Sequence, residues 1–279
     1  MIDLNINPNH LRASRPSISP YREVVSTVRP LLTNAMEKLK WDVTEAARRS
    51  RRALGKKSSF YNNRTAVIVC NGPSLLRCDL GLLRNTFTIG LNKINLLFER
   101  NDFRPSVIVC INRLVLEQNA PFFNSTSIPL YIGSRGVNVV QPREGVTYLY
   151  TASHSRFARD VRGTVNEGGT VTFVALQLAF HLGFKRVALI GCDHSFATDG
   201  PANATVVGNG DDLSHFAPNY FGNGVLWQLP DIVHSTMAYR LARGVYEAFG
   251  REVVNCTEGG KLEVFRRMSL GEFLGYQEK

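Results

Sequence analysis

The sequence predicts an α/β fold: a Rossmann-like, mostly parallel sheet flanked by helices, with a helical appendage at the N-terminus. Short apolar runs of strand length alternate with helical periodicity from Arg64 onward. The first three runs each end in Asn at a turn, and a fourth leads through Gly191-Cys192 to Asp193. The clearest helix is opened by Gly168-Gly169-Thr170 and closed by Gly183, an N-cap and C′ pair in the expected places.

In chain order, residues 1 to about 20 contain Pro8, Pro16 and Pro20 among Ser and Asn and read as an extended arm. From Tyr21 to about Ala53, Val24, Val28, Leu31, Leu32, Ala35, Met36 and Leu39 recur at helical spacing, and Pro30 should kink or divide that helix. Gly55-Lys56-Lys57-Ser58-Ser59 reads as the linker. The expected division is therefore an appendage over 1–57 and a Rossmann-like nucleotide-binding domain over 58–279.

Thr65-Ala66-Val67-Ile68-Val69 reads as a buried strand that stops at Cys70-Asn71-Gly72-Pro73-Ser74. Gly72 suits the N-cap and Pro73 the first helical position, so the free amides at Ser74 form a candidate anion site. Neither G-x-G-x-x-G spacing nor a Lys-Ser/Thr after the second glycine is present, which removes the dinucleotide fingerprint and the P-loop. Thr86–Leu91 ends in Asn92-Lys93, and Ser106–Ile111 in Asn112-Arg113. Carboxyl ends of parallel strands meet at one sheet edge, so Asn71, Asn92, Asn112 and Asp193 are expected to converge there. Asn is also an ordinary turn residue, and each could serve only that role.

Short strands are expected near Pro129–Ile132 and Val146–Tyr150, then a mobile loop whose Arg156, Arg159 and Arg162 could close on a phosphate. The helix from Thr170 has an apolar face of Val171, Val174, Ala175, Leu178, Ala179 and Leu182. The strand Val187–Ile190 follows, with Asp193-His194-Ser195 at its tip. The long stretch from Ala197 to Leu229 reads as a lid carrying His215 and Tyr220. Asp231 should cap a helix to Phe249, with Ala238, Leu241, Ala242, Val245, Ala248 and Phe249 inward. A last strand, Glu252–Asn255, leads into the loop Thr257–Lys261, which could also reach the site.

With 44% hydrophobic and 20% charged residues, the 279-residue chain has the balance of a soluble globular protein. It has no run of ~20 apolar residues and no basic-then-apolar start, so cytoplasm is the expected compartment. Cys70, Cys78, Cys110, Cys192 and Cys256 show no C-x-x-C spacing and read as reduced core residues. The net charge of +10 implies an anionic partner. Its densest cluster, Arg48–Lys57, lacks interleaved aromatics, which argues against nucleic acid. Peripheral contact with anionic lipid headgroups or an acidic partner fits better. An oligomer is compatible with the sequence.

Several blocks together carry a resemblance: Cys70–Leu75, Gly90-Leu91-Asn92-Lys93, Glu167–Val171 with Gly191–Phe196, His215-Phe216-x-Pro218-x-Tyr220-Phe221, and Gly259–Phe265. Over roughly residues 64–268 the chain resembles the family named after 6-hydroxymethylpterin diphosphokinase. That family also contains the motility-associated-factor glycosyltransferases that modify flagellin, and it looks distantly related to bacterial lipooligosaccharide sialyltransferases. The resemblance implies that Asn71 and Asn92 match the asparagines that bind a cytidine monophosphate donor. The first phosphate-binding tyrosine of those enzymes falls near Ser195, and their base histidine falls near Asn219, four residues after His215. The sequence departs from the pattern at both.

The leading expectation is thus a nucleotide-dependent transferase, a glycosyltransferase using a nucleotide sugar such as a CMP-sialic-acid-like donor on a glycan or protein acceptor. His215 is the candidate base, against an ordinary core or surface role, with His194 as the next candidate. Asp193 could orient either histidine, bind donor hydroxyls, hold magnesium, or cap a turn. Asn71, Gly72, Ser74, Asn92, Lys93, Asn112, Gly169, Thr170, Ser195 and Tyr220 are the candidate nucleotide-binding residues. No resident cofactor or metal is firmly implied. Magnesium enters only under the alternative, an ATP-dependent diphosphokinase, which the scarcity of acidic strand tips disfavours. A non-catalytic nucleotide-binding module is the third reading.

Overall fold

The computed structural model describes residues 33–275, except Ser155, Asp199 and Asn223. The chain forms two compact units, Met1–Asp42 and Val43–Lys279. Of the first, residues 33–42 are described and are helical. The extended arm and the kink at Pro30 lie outside the described residues.

The second unit begins with α1 (Glu45–Lys57), capped by Thr44, whose hydroxyl accepts the Ala47 amide. Ala47, Ser50 and Leu54 form its buried face. The Ser50 hydroxyl accepts the Tyr148 amide at 2.8 Å, and the His181 imidazole bonds the Leu54 carbonyl at 3.1 Å. The linker expected at 55–59 therefore starts inside a helix that packs on the sheet. The two compact units meet at 42/43, and α1, with its buried Ala47, Ser50 and Leu54, belongs to the second.

Nine strands build one sheet: β1 (Thr65–Val69), β2 (Phe87–Leu91), β3 (Val107–Cys110), β4 (Leu130–Gly133), β5 (Val146–Ala152), β6 (Thr164–Asn166), β7 (Arg186–Ile190), β10 (Glu252–Asn255) and β11 (Arg266–Arg267). Their order is β11-β10-β7-β1-β2-β3-β4-β5-β6, and every pairing is parallel. The central strands are apolar beyond their first residues, Thr65 in β1 and Arg186 in β7, because both faces are covered. From β1 the chain steps outward to β6, passing α2 (Arg113–Gln118) and α3 (Ala120–Ser125), then returns along α4 (Val171–Leu182) to lay β7 on the other side of β1. Val69 lies opposite Gly90 on one flank and Ile190 on the other. The direction of winding reverses there, and the crevice beyond the strand tips at such a point is where open α/β sheets bind ligands.

Helix α4 follows its expected capping: Thr170 accepts the Thr172 amide and Gly183 closes at φ +100°. It is buried on all sides from Thr172 to Leu182, so its apolar character extends beyond one face. Gln177, wholly buried in it, accepts the Ala158 and Asn166 amides and donates to the Asn166 and Phe173 carbonyls. This ties down the stretch expected to be a mobile loop. Arg159 lies over the Phe249 ring and Arg162 pairs with Asp160, so neither is posed for a phosphate in the sheet's crevice.

The long stretch read as a lid contains a two-stranded antiparallel ribbon, β8 (Thr205–Val207) and β9 (Leu226–Gln228). Helix α5 (Ile232–Ala248) is capped by Asp231 as expected. Its buried stripe is Ser235, Ala238, Tyr239, Ala242 and Tyr246, while Ala248 and Phe249 are exposed. The tyrosines displaced the expected stripe because their hydroxyls find partners, Tyr246 donating to the Leu176 carbonyl at 2.8 Å. Among the described residues no helix is long and apolar enough to cross a membrane. All five cysteines are free thiols, four of them buried.

Candidate functional site

Beyond the carboxyl ends of β1, β2, β3 and β7 lies a cavity of about 820 Å³. Asn71, Gly72, Asn92, Asn112, Gly169, Thr170, Asp193, His194, Ser195 and His215 all line it. Ser74, Lys93 and Tyr220 do not; they hold its walls.

The turn after β1 takes the expected form, but its helix is a single 3-10 segment, Pro73–Arg77, with Gly72 as N-cap. Its amides do not await an anion. Asp193 reaches across from the tip of β7, and its carboxylate accepts the Ser74 hydroxyl at 2.6 Å and the Ser74 amide at 3.3 Å. Of the four roles open to Asp193, the structure displays the cap. The close approach demands Gly72: a Cβ there would lie 2.7 Å from the Asp193 Cγ and 2.7 Å from the Gly191 carbonyl oxygen. The expected reach of the 257–261 loop is also present, since the Lys261 amide donates to the Asp193 carbonyl at 2.7 Å.

The three strand-tip asparagines divide. Asn112 caps α2 (Arg113–Gln118), accepting the Leu114 amide at 2.9 Å, and donates to Gln228 at 3.0 Å. That is a turn-residue role. Asn71 is 8% exposed, and its Oδ1 is buried without any hydrogen-bond partner; the Oδ1 of Asn92 is in the same condition. Asn92 also sits at φ +48°, a left-handed conformation that a non-glycine residue adopts at some cost. Buried polar atoms are nearly always paired, so the two oxygens stand out as unsatisfied acceptors on residues that line one cavity.

Lys93 points away from the cavity. Its ammonium donates to the Tyr220 carbonyl at 2.7 Å and lies over the Phe221 ring at 4.7 Å. Burial pulls its pKa down to about 8, against the opposing pull of the Asp212 carboxylate. The wholly buried Tyr220 accepts the Lys93 amide on its hydroxyl. Its ring stacks on His215 with centroids 4.1 Å apart and planes 4° from parallel.

His215, the candidate base, lines the cavity beside a carboxylate. Its Nδ1 donates to Asp212 Oδ2 at 2.7 Å, which leaves Nε2 as the acceptor nitrogen of the neutral ring. Asp212 also accepts the Ser214 amide at 2.8 Å and the Phe221 amide at 3.1 Å. Burial alone would raise its pKa, but the His215 contact and those amides outweigh it and hold the carboxyl below its usual value. The loop is fastened to the first strand tip, since the Phe216 amide donates to the Asn71 carbonyl at 2.9 Å. Asp212 was missed; an acidic residue three positions before a candidate base was the available signal.

His194 has φ +53° and bonds Thr236 through Nε2 at 2.8 Å. The Thr236 hydroxyl donates to the Ile232 carbonyl, so it must accept from His194. Burial lowers the His194 pKa. The Thr236 hydroxyl thus holds the His194 ring in place. Arg113 and Arg135 complete the cavity's far wall, beyond β3 and β4. Arg113 pairs with Glu117 at 2.7 Å, and the exposed Arg135 bonds no described residue.

Residues 43–199 match the family model described as 6-hydroxymethylpterin diphosphokinase MptE-like. The match takes in α1, the strands through β7 and the tips bearing Asn71, Asn92 and Asp193, and it ends before Asp212 and His215. No curated protein matches the chain.

Proposed function

The chain belongs to the 6-hydroxymethylpterin diphosphokinase MptE-like family, and from that membership we propose that it is a nucleotide-dependent transferase that moves a sugar from a nucleotide-activated donor to an acceptor hydroxyl. The observation that carries the proposal is the pair of orphaned oxygens on Asn71 and Asn92, in the same cavity as the His215–Asp212 pair. Carboxamide oxygens accept from the amino group of a base or from ribose hydroxyls, which suits a nucleotide such as cytidine monophosphate.

In this reading His215 Nε2 takes the proton of the acceptor hydroxyl. The acceptor oxygen then bonds the anomeric carbon of the donor, and the bond from that carbon to the nucleotide's phosphate oxygen breaks, its electron pair leaving with the phosphate. Asp212 holds the ring in the Nδ1–H form and stabilises the imidazolium that results. Arg135, which lines the cavity and pairs with no carboxylate among the described residues, is available to an acidic group on donor or acceptor.

The second reading, diphosphoryl transfer from ATP, rests on the family description. Magnesium would require oxygen ligands, and the cavity's carboxylates are each engaged elsewhere: Asp193 by Ser74, Glu117 by Arg113 and Glu167 by Thr151. Among the described residues no three His, Cys, Asp or Glu side chains gather as a metal site. Those residues fit a metal poorly.

A thermal-shift series with CMP, a CMP-sugar, other nucleotide sugars and ATP, each with and without magnesium, tests the proposal. A nucleotide sugar at 100 times its dissociation constant should stabilise by ~2.7 kcal/mol without magnesium. Stabilisation by ATP alone, and only with magnesium, would favour the diphosphokinase.

A further inference from the structure

We propose that a second cavity, at the opposite edge of the sheet, binds a phosphate-bearing anion. It lies between α1 and the amino ends of β4 and β5, has a volume of about 320 Å³, and is lined by Arg49, Lys56, Lys57 and Arg143 with Tyr131 and Thr147 at its floor. Register places Tyr131 and Thr147 side by side, so both side chains rise from the same face of the sheet.

Glu144 also lines the cavity, but none of the four cations forms an ion pair with it or with another carboxylate among the described residues. Arg49 and Lys56 are exposed and pair with no acidic side chain among the described residues. Lys57 donates to the Tyr131 hydroxyl at 3.5 Å and lies 5.7 Å from that ring's centroid. Arg143 donates to the carbonyls of Phe123 and Thr126, at 2.9 and 2.7 Å, and its Nε is buried without a partner. Lysines at a helix C-terminus have an ordinary explanation in the helix dipole. Arg49 stands two turns earlier and Arg143 on another element, so the dipole does not account for the cluster. Thr147 is 6% exposed, and its hydroxyl bonds no described side chain. Four converging cations over two buried hydroxyls form a cradle for a compact polyanion, with bidentate Arg contacts available.

Such a phosphate can belong to a soluble molecule or to a lipid headgroup, and the charge of α1 is suited to either. The test uses the full-length chain. Inorganic pyrophosphate binding is measured by calorimetry, and sedimentation is measured with phosphatidylcholine vesicles that contain or lack phosphatidylserine. Both are repeated with Arg49→Glu/Lys56→Glu, a surface pair outside the transferase cavity. We expect at least one probe to bind the native chain and to weaken roughly tenfold or more in the double variant, with nucleotide binding at the other edge unchanged. Pyrophosphate binding would identify a soluble ligand, and sedimentation alone a lipid headgroup. Binding of neither probe, or equal binding by the variant, overturns the proposal. Because nucleotide binding is read separately, failure here leaves the transferase reading intact.

Discussion

Replacing Gly72 with Ala isolates the contact that joins the two central strand tips. The backbone at Gly72 has φ −71° and ψ 160°, which any residue adopts, so only space forbids a side chain. The added methyl would fall within the Asp193 carboxylate and 2.7 Å from the Gly191 carbonyl oxygen. Asp193 must then release the Ser74 hydroxyl and amide, now held at 2.6 and 3.3 Å. Hydrogen bonds to a charged group contribute about 1.5–3 kcal/mol each, and the second is long, so a loss of about 3 kcal/mol is expected. For a unit of this size that lowers Tm by roughly 6–12 °C, measurable by calorimetry. In an Asp193→Ala background the same substitution should cost much less, since only the Gly191 carbonyl remains in the way. A Gly72→Ala protein with unchanged Tm, or equal costs in the two backgrounds, would refute the contact.

Other outcomes follow from the same geometry. Lys93→Met removes an ammonium whose pKa falls from 10.5 to about 8, a burial cost of about 3 kcal/mol set against its bond to the Tyr220 carbonyl. Stability at neutral pH should therefore be unchanged or higher by urea titration, and a tenfold loss of nucleotide affinity would show that Lys93 contacts phosphate after all. Because the folded pKa is the lower one, the unfolded chain binds more protons between about pH 8 and 10.4; native stability should gain across that window, and the variant should not. His215→Ala should lower turnover roughly 10²–10⁴-fold with donor affinity kept, and Asp212→Asn should lower it too, by misorienting the ring. His194→Ala should act mainly on stability, since its Nε2 is spent on Thr236; normal turnover in His215→Ala would reverse the two roles. Asp212 has a lowered carboxyl pKa, so its contribution is complete above about pH 4 and is lost as acid titrates it; Asp212→Asn should lack that acid limb in urea midpoints.

The strands were legible because a parallel sheet covered on both faces leaves continuous apolar runs, and because Thr170, Gly183 and Asp231 stand where caps must stand. Their order was not legible, since pairing β7 with β1 depends on α4 crossing the sheet face, which no local signal encodes. The place of α1 was missed for a related reason: its buried face is only Ala47, Ser50 and Leu54, and the arginines between them dominate the pattern. At the site, residue type identified the tips, but partner choice decided their roles. Ser74 and Asp193 satisfy one another, Asn112 serves α2, and Asn71 and Asn92 are left with free acceptors. Composition cannot distinguish these cases, since all present the same amide or carboxylate groups at a turn.

The most direct measurement is nucleotide binding by calorimetry in Asn71→Ala and in Asn92→Gly, glycine being chosen because residue 92 is left-handed. Removing a buried oxygen that bonds nothing should leave Tm unchanged or slightly raised, whereas removing one that accepts from a ligand should weaken binding by about 1–3 kcal/mol, roughly 5- to 150-fold. Unaltered Tm with weakened nucleotide binding in both variants is the predicted result. Native affinity in both, or destabilisation without any change in affinity, would contradict a nucleotide site at this sheet edge.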